Sequence, residues 1–508
     1  MLAAWGSLRK MNLDLNGWLA RRWLRIAIWA AVCVLSAAKF FYLTADFPNW
    51  SPWMIDQAKF TDEGWWGSAA VTHALTGHWY MPGDYNPAVA LPVWPLLLSG
   101  LFHFTGVSVV SARALTVVLS LATLCIVYGL VRRYTHRDVE TPALLAVLLL
   151  SASPFAFAFN RLAILETLVI FEFCVLMRVA SFASLKRFWP LAALAIIIPT
   201  MLLTKTTAAL LVPAVFWLAW SAMGRTRGGL WRAVLAVGVV PAVLVKSYAA
   251  LVSALGYGAD YRYFYDVNAM PDIAWGQTLA TLRDLLENCL WIDRVLYPIA
   301  LLILVLTVAW KRRLWSNPLF AAAWMVVAAQ AVFIFSRQDD YAPRYFLVML
   351  APLVWIVVLV FDELLPHGKK AAALLLVGMA TSVAVNVVII RHFLVDRDYD
   401  FHDAAASIAG IIRSHPEQRP LMLGVSGAQI SMMTGIPAIN DGFSTEDMAK
   451  KVAQDRPGWL LAWDDADPAK DESLAKFKLE KMASYPAFDD DTRTVLTLYK
   501  MVPSTSQP

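Results

Sequence analysis

The sequence predicts a polytopic all-α membrane protein, with about eleven transmembrane helices, further helices lying along its outer surface, and a small C-terminal soluble α/β domain. Three observations carry that class. The 508 residues are 59% hydrophobic and only 16% charged, with a mean hydropathy of +0.56, which overrides the two or three soluble domains that length alone suggests. Apolar runs of ~17–22 residues recur along most of the chain, each long enough to cross a ~30 Å hydrocarbon layer. Examples are IAIWAAVCVLSAAKFFYL, LTVVLSLATLCIVYGLV and FLVMLAPLVWIVVLVFDEL. Beyond residue 391 the charges return to ordinary density and the apolar runs stop.

Taken in order, the runs must be helices, because helices satisfy their own backbone hydrogen bonds in lipid. The first follows Arg21, Arg22 and Arg25; it is long and lacks a small-residue cleavage site, so it reads as a retained span. Basic clusters then thread the chain: Arg9–Arg25, 132–137, Lys186–Arg187, Arg225–Arg232, Lys311–Arg313 and Lys369–Lys370. All fall in the cytoplasm when the spans are 23–43, 111–131, 141–159, 162–180, 188–204, 206–222, 231–253, 294–310, 317–336, 345–362 and 371–391. The N-terminus is then cytoplasmic and the protein a multi-pass component of the cytoplasmic (inner) membrane. Residues 88–104 are apolar enough to cross, but counting them would invert every later basic loop. They read instead as an amphipathic helix on the outer surface, kinked at Pro92 and Pro95. The expected organisation is a membrane domain over 1–391, with outer loops at about 44–110 and 254–293, and an extracytoplasmic domain over 392–508.

That last domain alternates helix-like and strand-like stretches: FHDAAASIAGIIRS, PLMLGVS, TEDMAKKVAQ, GWLLAW, then LEKMASY and TVLTLYKM. The net charge of +5 sits mostly in short loops, so it reports orientation and gives no ground for nucleic-acid binding. Cys33, Cys125, Cys174 and Cys289 are far apart and form no disulfide framework.

The stretch KFTDEGWWGS (59–68) carries the first chemical signal. Asp62 and Glu63 fall in the first outer loop beside Trp65 and Trp66. Helix capping with interfacial tryptophans accounts for one acid. Cations also gather at outer span ends: Arg113, Arg161 in NRLAILE, Lys205 in TKTT, and Arg337 and Arg344 around SRQDDYAPRY. Each alone is compatible with snorkelling; together, on the side that disfavours cations, they suggest a shared anionic ligand. Glu166 lies one turn inside a span, where it either pairs with Arg161 or joins the site directly. Asp339 and Asp340 read as solvated loop charges. His73 and His78 are five apart and do not stack on one helix face, so no metal site is supported there. A base-capable carboxylate facing cations at headgroup depth suits transfer of a sugar from a lipid phosphate, with inversion at the anomeric carbon. No glycine-rich phosphate loop is present, and the chemistry needs no nucleotide.

These residues resemble the GT-C superfamily of polyprenyl-phosphate-sugar glycosyltransferases, and within it the protein O-mannosyltransferases, the lipid A aminoarabinose transferases and the RgtA/B/C/D-like bacterial enzymes. The resemblance rests on DEGWW, YNPAVALPVWPLL, ARALTVVLS, NRLAILET, LTKTTAALLVP and APRYFLVMLAP in that order, and it covers most of 1–391. It implies Asp62 as catalytic carboxylate with Glu63 its motif neighbour, Glu166 as a second acid, and Lys205 and Arg344 as cations on the donor phosphate; Arg337, Arg161 and Arg113 join them as phosphate-binding candidates on the charge pattern alone. Relatives often carry His-Pro-Pro or Lys-Pro-Pro where this chain has Asn86-Pro87-Ala88, so one basic phosphate contact is absent here. The tail matches no known pattern. The implied partners are a polyprenyl-phosphate sugar donor, membrane lipid, and a glycolipid, polysaccharide or protein acceptor of the cell envelope; no cofactor is implied, and a divalent metal has no supporting ligand set. Two other classes stay open: a transporter or flippase of lipid-linked sugars, and a non-catalytic envelope subunit. Against the first, the charges cluster at span ends and no inverted repeat is visible.

Overall fold

The computed structural model describes residues 21–51, 53, 58–135, 140–268, 279–280, 283, 293–310, 314–337, 342–465 and 467–504. Lys311–Arg313, Asp339, Asp340, Cys289 and most of the second outer loop lie outside the described residues.

The chain is mostly helical. Helix α1 (Arg22–Ala38) leads to the first outer segment, which holds α2 (Glu63–Thr76) and α3 (Val93–Thr105). The long α4 (Val109–Tyr134) starts at Ser108, whose hydroxyl accepts the backbone N–H of Ser111 as an N-cap. There follow α5 (Thr141–Ser151), α6 (Pro154–Phe159), α7 (Leu165–Ala180), α8 (Trp189–Thr204), α9 (Val212–Ala222) and α10 (Arg227–Ala254). Helix α11 (Gly258–Val267) precedes α12 (Leu296–Trp310), α13 (Pro318–Arg337), α14 (Leu347–His367) and α15 (Lys369–Val395). Five of these helices are long and apolar enough to cross a membrane. The others are shorter or interrupted. The segment read as a single span at 141–159 divides at Ser153, which caps α6 through its hydroxyl. The segment 206–222 opens with a 3-10 stretch, Thr206–Leu211.

Helix α3 has 13 residues, about 20 Å at 1.5 Å per residue, and so falls short of a ~30 Å crossing. Its prolines do not kink it. Pro92 is its N-cap and Pro95 lies in its first turn, where a missing N–H costs nothing.

The tail folds as α16 (Asp400–Ser414), β1 (Met422–Leu423), α17 (Gly427–Thr434), β2 (Ala438–Ile439), α18 (Met448–Asp455), β3 (Trp459–Trp463), β4 (Phe477–Asp490) and β5 (Arg493–Pro503). Its five-stranded sheet has the order β2-β1-β3-β5-β4, with β1 parallel to β2 and β3 and the rest antiparallel. The stretches read as strand-like lie in β1, β3, β4 and β5; helix α17 was not anticipated.

The tail and the first outer segment share a buried interface. Phe60 stacks on Phe401 at 4.1 Å between ring centres, inside the apolar core of the tail. Lys451, fully buried, reaches Asp84 at 2.5 Å. The Trp65 indole donates to the carbonyl of Val425 at 3.0 Å. Gly64 sits where α2 crosses α17: a methyl group there would overlap the backbone of Ala428 and Gln429, so only glycine permits this approach.

Candidate active site

The backbone entering α2 is a single π turn, Ala58–Asp62, with a break at Phe60. It delivers Asp62 and Glu63 at successive helical positions, about 100° apart around the axis. The two acids therefore face different partners. Asp62 Oδ2 pairs with Arg344 Nη2 at 2.8 Å and accepts the Trp66 indole N–H at 3.2 Å. It makes no side-chain capping bond to α2. Glu63 is wholly buried and grips Arg113 through both oxygens, at 2.8 and 2.6 Å. It also accepts the backbone N–H of Ala163 at 2.7 Å and the Gln429 amide at 3.0 Å.

Glu166, at the start of α7, forms an ion pair with Lys205 and lies 3.5 Å from Arg344 Nε. It does not pair with Arg161, which donates instead to the carbonyls of Phe41 and Tyr42 at 2.5 and 2.9 Å. The local folding explains how the cations arrive. Lys205 has extended backbone where α8 ends and the 3-10 stretch begins. Arg344 lies in the 3-10 turn Pro343–Phe346 that opens α14. Both cations lie over the Tyr345 ring, at 4.9 and 5.3 Å. The carbonyl of Tyr345 is held in turn by the Gln330 amide at 2.9 Å.

Asp62, Arg344, Glu166 and Lys205 thus form one continuous line of alternating charge. Asp62, Arg344 and Glu166 are buried and Lys205 is partly exposed. The line ends at a cavity lined by Glu166, Lys205, Thr207, Gln330 and Tyr345, with Val169, Leu211 and Phe333 as its apolar wall. Arg113 belongs to the Glu63 brace, and Arg161 lines a different cavity. Arg337 ends α13, and its side chain lies outside the description. The His73 ring stacks on Trp79 at 4.2 Å while His78 is exposed, so the two are not gathered as ligands. Asn86 directly precedes the short 3-10 turn Pro87–Val89. Among the described residues no group of three or more His, Cys, Asp or Glu side chains gathers at metal-binding distance.

Sequence reasoning missed Gln429 and Tyr345. Gln429 reaches Glu63 across 366 positions from an unpatterned short helix, which no local signal reports. Tyr345 stood beside a flagged cation and had a readable signal, an aromatic in APRY.

The same architecture occurs in solved structures. ArnT from Cupriavidus metallidurans, bound to undecaprenyl phosphate, superposes with a TM-score of 0.58 over 94% of this chain and 98% of its own, at 14% identity. The chain has the GT-C fold. The apo state of the same ArnT matches this chain with a TM-score of 0.54, covering 95% and 98% of the two chains, again at 14% identity. The Archaeoglobus fulgidus oligosaccharyltransferase, in complex with zinc and sulfate, matches with a TM-score of 0.52 over 93% of this chain and 73% of its own, at 10% identity. The family model for dolichyl-phosphate-mannose-protein mannosyltransferases matches residues 86–252, which includes Arg113, Arg161, Glu166 and Lys205. No curated protein matches the sequence.

Proposed function

We propose that this chain is an inverting glycosyltransferase, a hexosyl- or pentosyltransferase that moves a sugar from a polyprenyl phosphate to a hydroxyl of a glycolipid, polysaccharide or protein on the outer face of the membrane. The observation that carries the reading is the Asp62–Arg344–Glu166–Lys205 line, which joins a carboxylate to two cations beside an apolar-walled cavity in a GT-C fold.

Arg344 pairs with Asp62 at 2.8 Å and holds that carboxylate in place. Asp62 takes the proton of the acceptor hydroxyl as its oxygen bonds to the anomeric carbon. The bond from that carbon to the phosphate oxygen breaks, and the polyprenyl phosphate leaves with the electron pair. Attack opposite the leaving phosphate inverts the centre. Lys205 and Arg344 balance the charge that develops on the phosphate. Glu166 positions both cations, and the Tyr345 face keeps them in a shared orientation. The apolar wall of Val169, Leu211 and Phe333 suits the first isoprene units of the donor. A transporter would place its charges near the bilayer midplane, whereas these lie where helices begin and end.

The test is mass spectrometry of glycolipids and envelope glycans from a deletion strain and its parent. One glycan species is expected to lose a single hexose or pentose in the deletion strain and to regain it on complementation. Identical profiles in both strains would remove the proposal.

A further inference from the structure

Arg161 and Arg397 converge on a cavity that the transfer site does not use. It is framed by Tyr42–Pro48, the turn between α6 and α7, and the chain leaving α15. Arg161 is held by the Phe41 and Tyr42 carbonyls and by the Phe157 ring at 4.8 Å. Arg397 lies 3.7 Å over the Tyr42 ring. The Nε of each is buried without a hydrogen-bond partner. Among the described residues neither arginine forms an ion pair, and buried Lys39 adds a further positive charge near Arg161.

Both arginines are half-buried, and a buried guanidinium N–H left without an acceptor is costly. Arg113 and Lys39 add like charge close to Arg161, which a negative ligand in the cavity would offset. The carboxylates on its wall are already occupied. Asp46 accepts the backbone N–H groups of Phe401 and His402 at 2.8 and 3.2 Å, and burial raises its carboxyl to about 6. Asp396 pairs with His392 at 2.7 Å. Arg113, at the back of the cavity, is satisfied by Glu63. The rest of the wall is apolar: Leu43, Phe47, Leu162 and Phe393. A forked cation suits phosphate, and an apolar wall beside it suits an amphiphile.

We propose that this cavity is a second phosphate site, separate from the donor groove at Lys205, and that it holds the headgroup phosphate of an anionic lipid. Nothing in it depends on glycosyl transfer, so its test needs no turnover.

Native mass spectrometry of the purified full-length protein, titrated with phosphatidylglycerol, reads the site directly. Wild type is expected to retain one lipid, and Arg397→Gln to weaken retention about tenfold or more while Arg397→Lys recovers part of it. Arg397 is the informative position, because Arg161 also holds backbone carbonyls and its loss could unfold the turn. Retention should survive Lys205→Ala; loss there, with normal retention in Arg397→Gln, would place the lipid in the donor groove and overturn the proposal. Equal binding of diacylglycerol, which lacks phosphate, would overturn it too. Inorganic phosphate identifies the source: displacement of the lipid at millimolar phosphate would mean that the site takes free phosphate, refuting the lipid assignment, whereas no displacement supports a lipid headgroup.

Discussion

Asp62 and Glu63 are neighbours in sequence, yet substitution should affect them in different ways. Asn at 62 keeps an acceptor for the Trp66 indole but cannot take a proton at neutral pH. A general base contributes ~10²–10⁴-fold to rate, so Asp62→Asn should cut the transfer rate by that order, while Arg344, still 3.5 Å from Glu166, keeps a counter-charge and limits the loss of stability. Glu63→Gln leaves Arg113 buried without its counter-charge, and breaking a buried pair costs ~3–5 kcal/mol. Its expected signature is a lowered melting temperature, with turnover per folded molecule falling far less. Measuring kcat and thermal stability on both variants separates the roles; full turnover in a well-folded Asp62→Asn would move the base elsewhere. This residue-level detail was partly legible. DEGWW, TKTT and APRY flagged Asp62, Lys205 and Arg344 as charges out of place. What the sequence could not do was sort the cations. Arg113, Arg161 and Lys205 look alike as basic residues at outer span ends, and only the fold assigns the first to Glu63, the second to its own cavity and the third to Glu166.

At the scale of elements, the crossing of α2 and α17 couples the tail to the site. The backbone N–H of Gly64 donates to Gln429 at 2.7 Å, and the same side chain reaches Glu63. This docking was invisible in sequence, because an eight-residue helix without apolar periodicity gives no signal and its partner lies far away along the chain. The spans were legible for the opposite reason: a hydrocarbon environment forces long apolar runs that any window detects. Their breaks at Ser153 and Thr206 were not, since those depend on capping and 3-10 geometry within still-apolar sequence. Gly64→Ala should push α2 away from α17. Overpacking against backbone typically costs ~1–3 kcal/mol, and the shift would displace Asp62 two positions away. The expected result is lower thermal stability together with a drop in transfer that purified, fully folded protein still shows. Normal stability and turnover would mean that the helices can separate without consequence.

Across the whole molecule, the same interface constrains topology. Residues 44–110 and the tail touch through Asp84 and Lys451, Glu63 and Gln429, and Phe60 and Phe401, so both lie on one side of the membrane. The chain between them must then cross an even number of times. With the ten crossings that the sequence predicts between residues 111 and 391, counting α3 as another would break that parity, which agrees with its length falling short of the bilayer. Positive residues then decide which side is which. Arg132, Arg133, Arg225 and Arg232 lie at the ends of α4, α9 and α10 away from the Asp62 line, and short loops rich in such residues stay in the cytoplasm. Reporter fusions around residues 135, 225 and 312 are therefore expected to signal cytoplasm, and fusions around 270 and 450 the outside. The fusion near 450 is the decisive one. A cytoplasmic signal there would carry Asp62 to the inner face along with the tail, because the interface ties them together, and the donor would have to be met on the opposite leaflet.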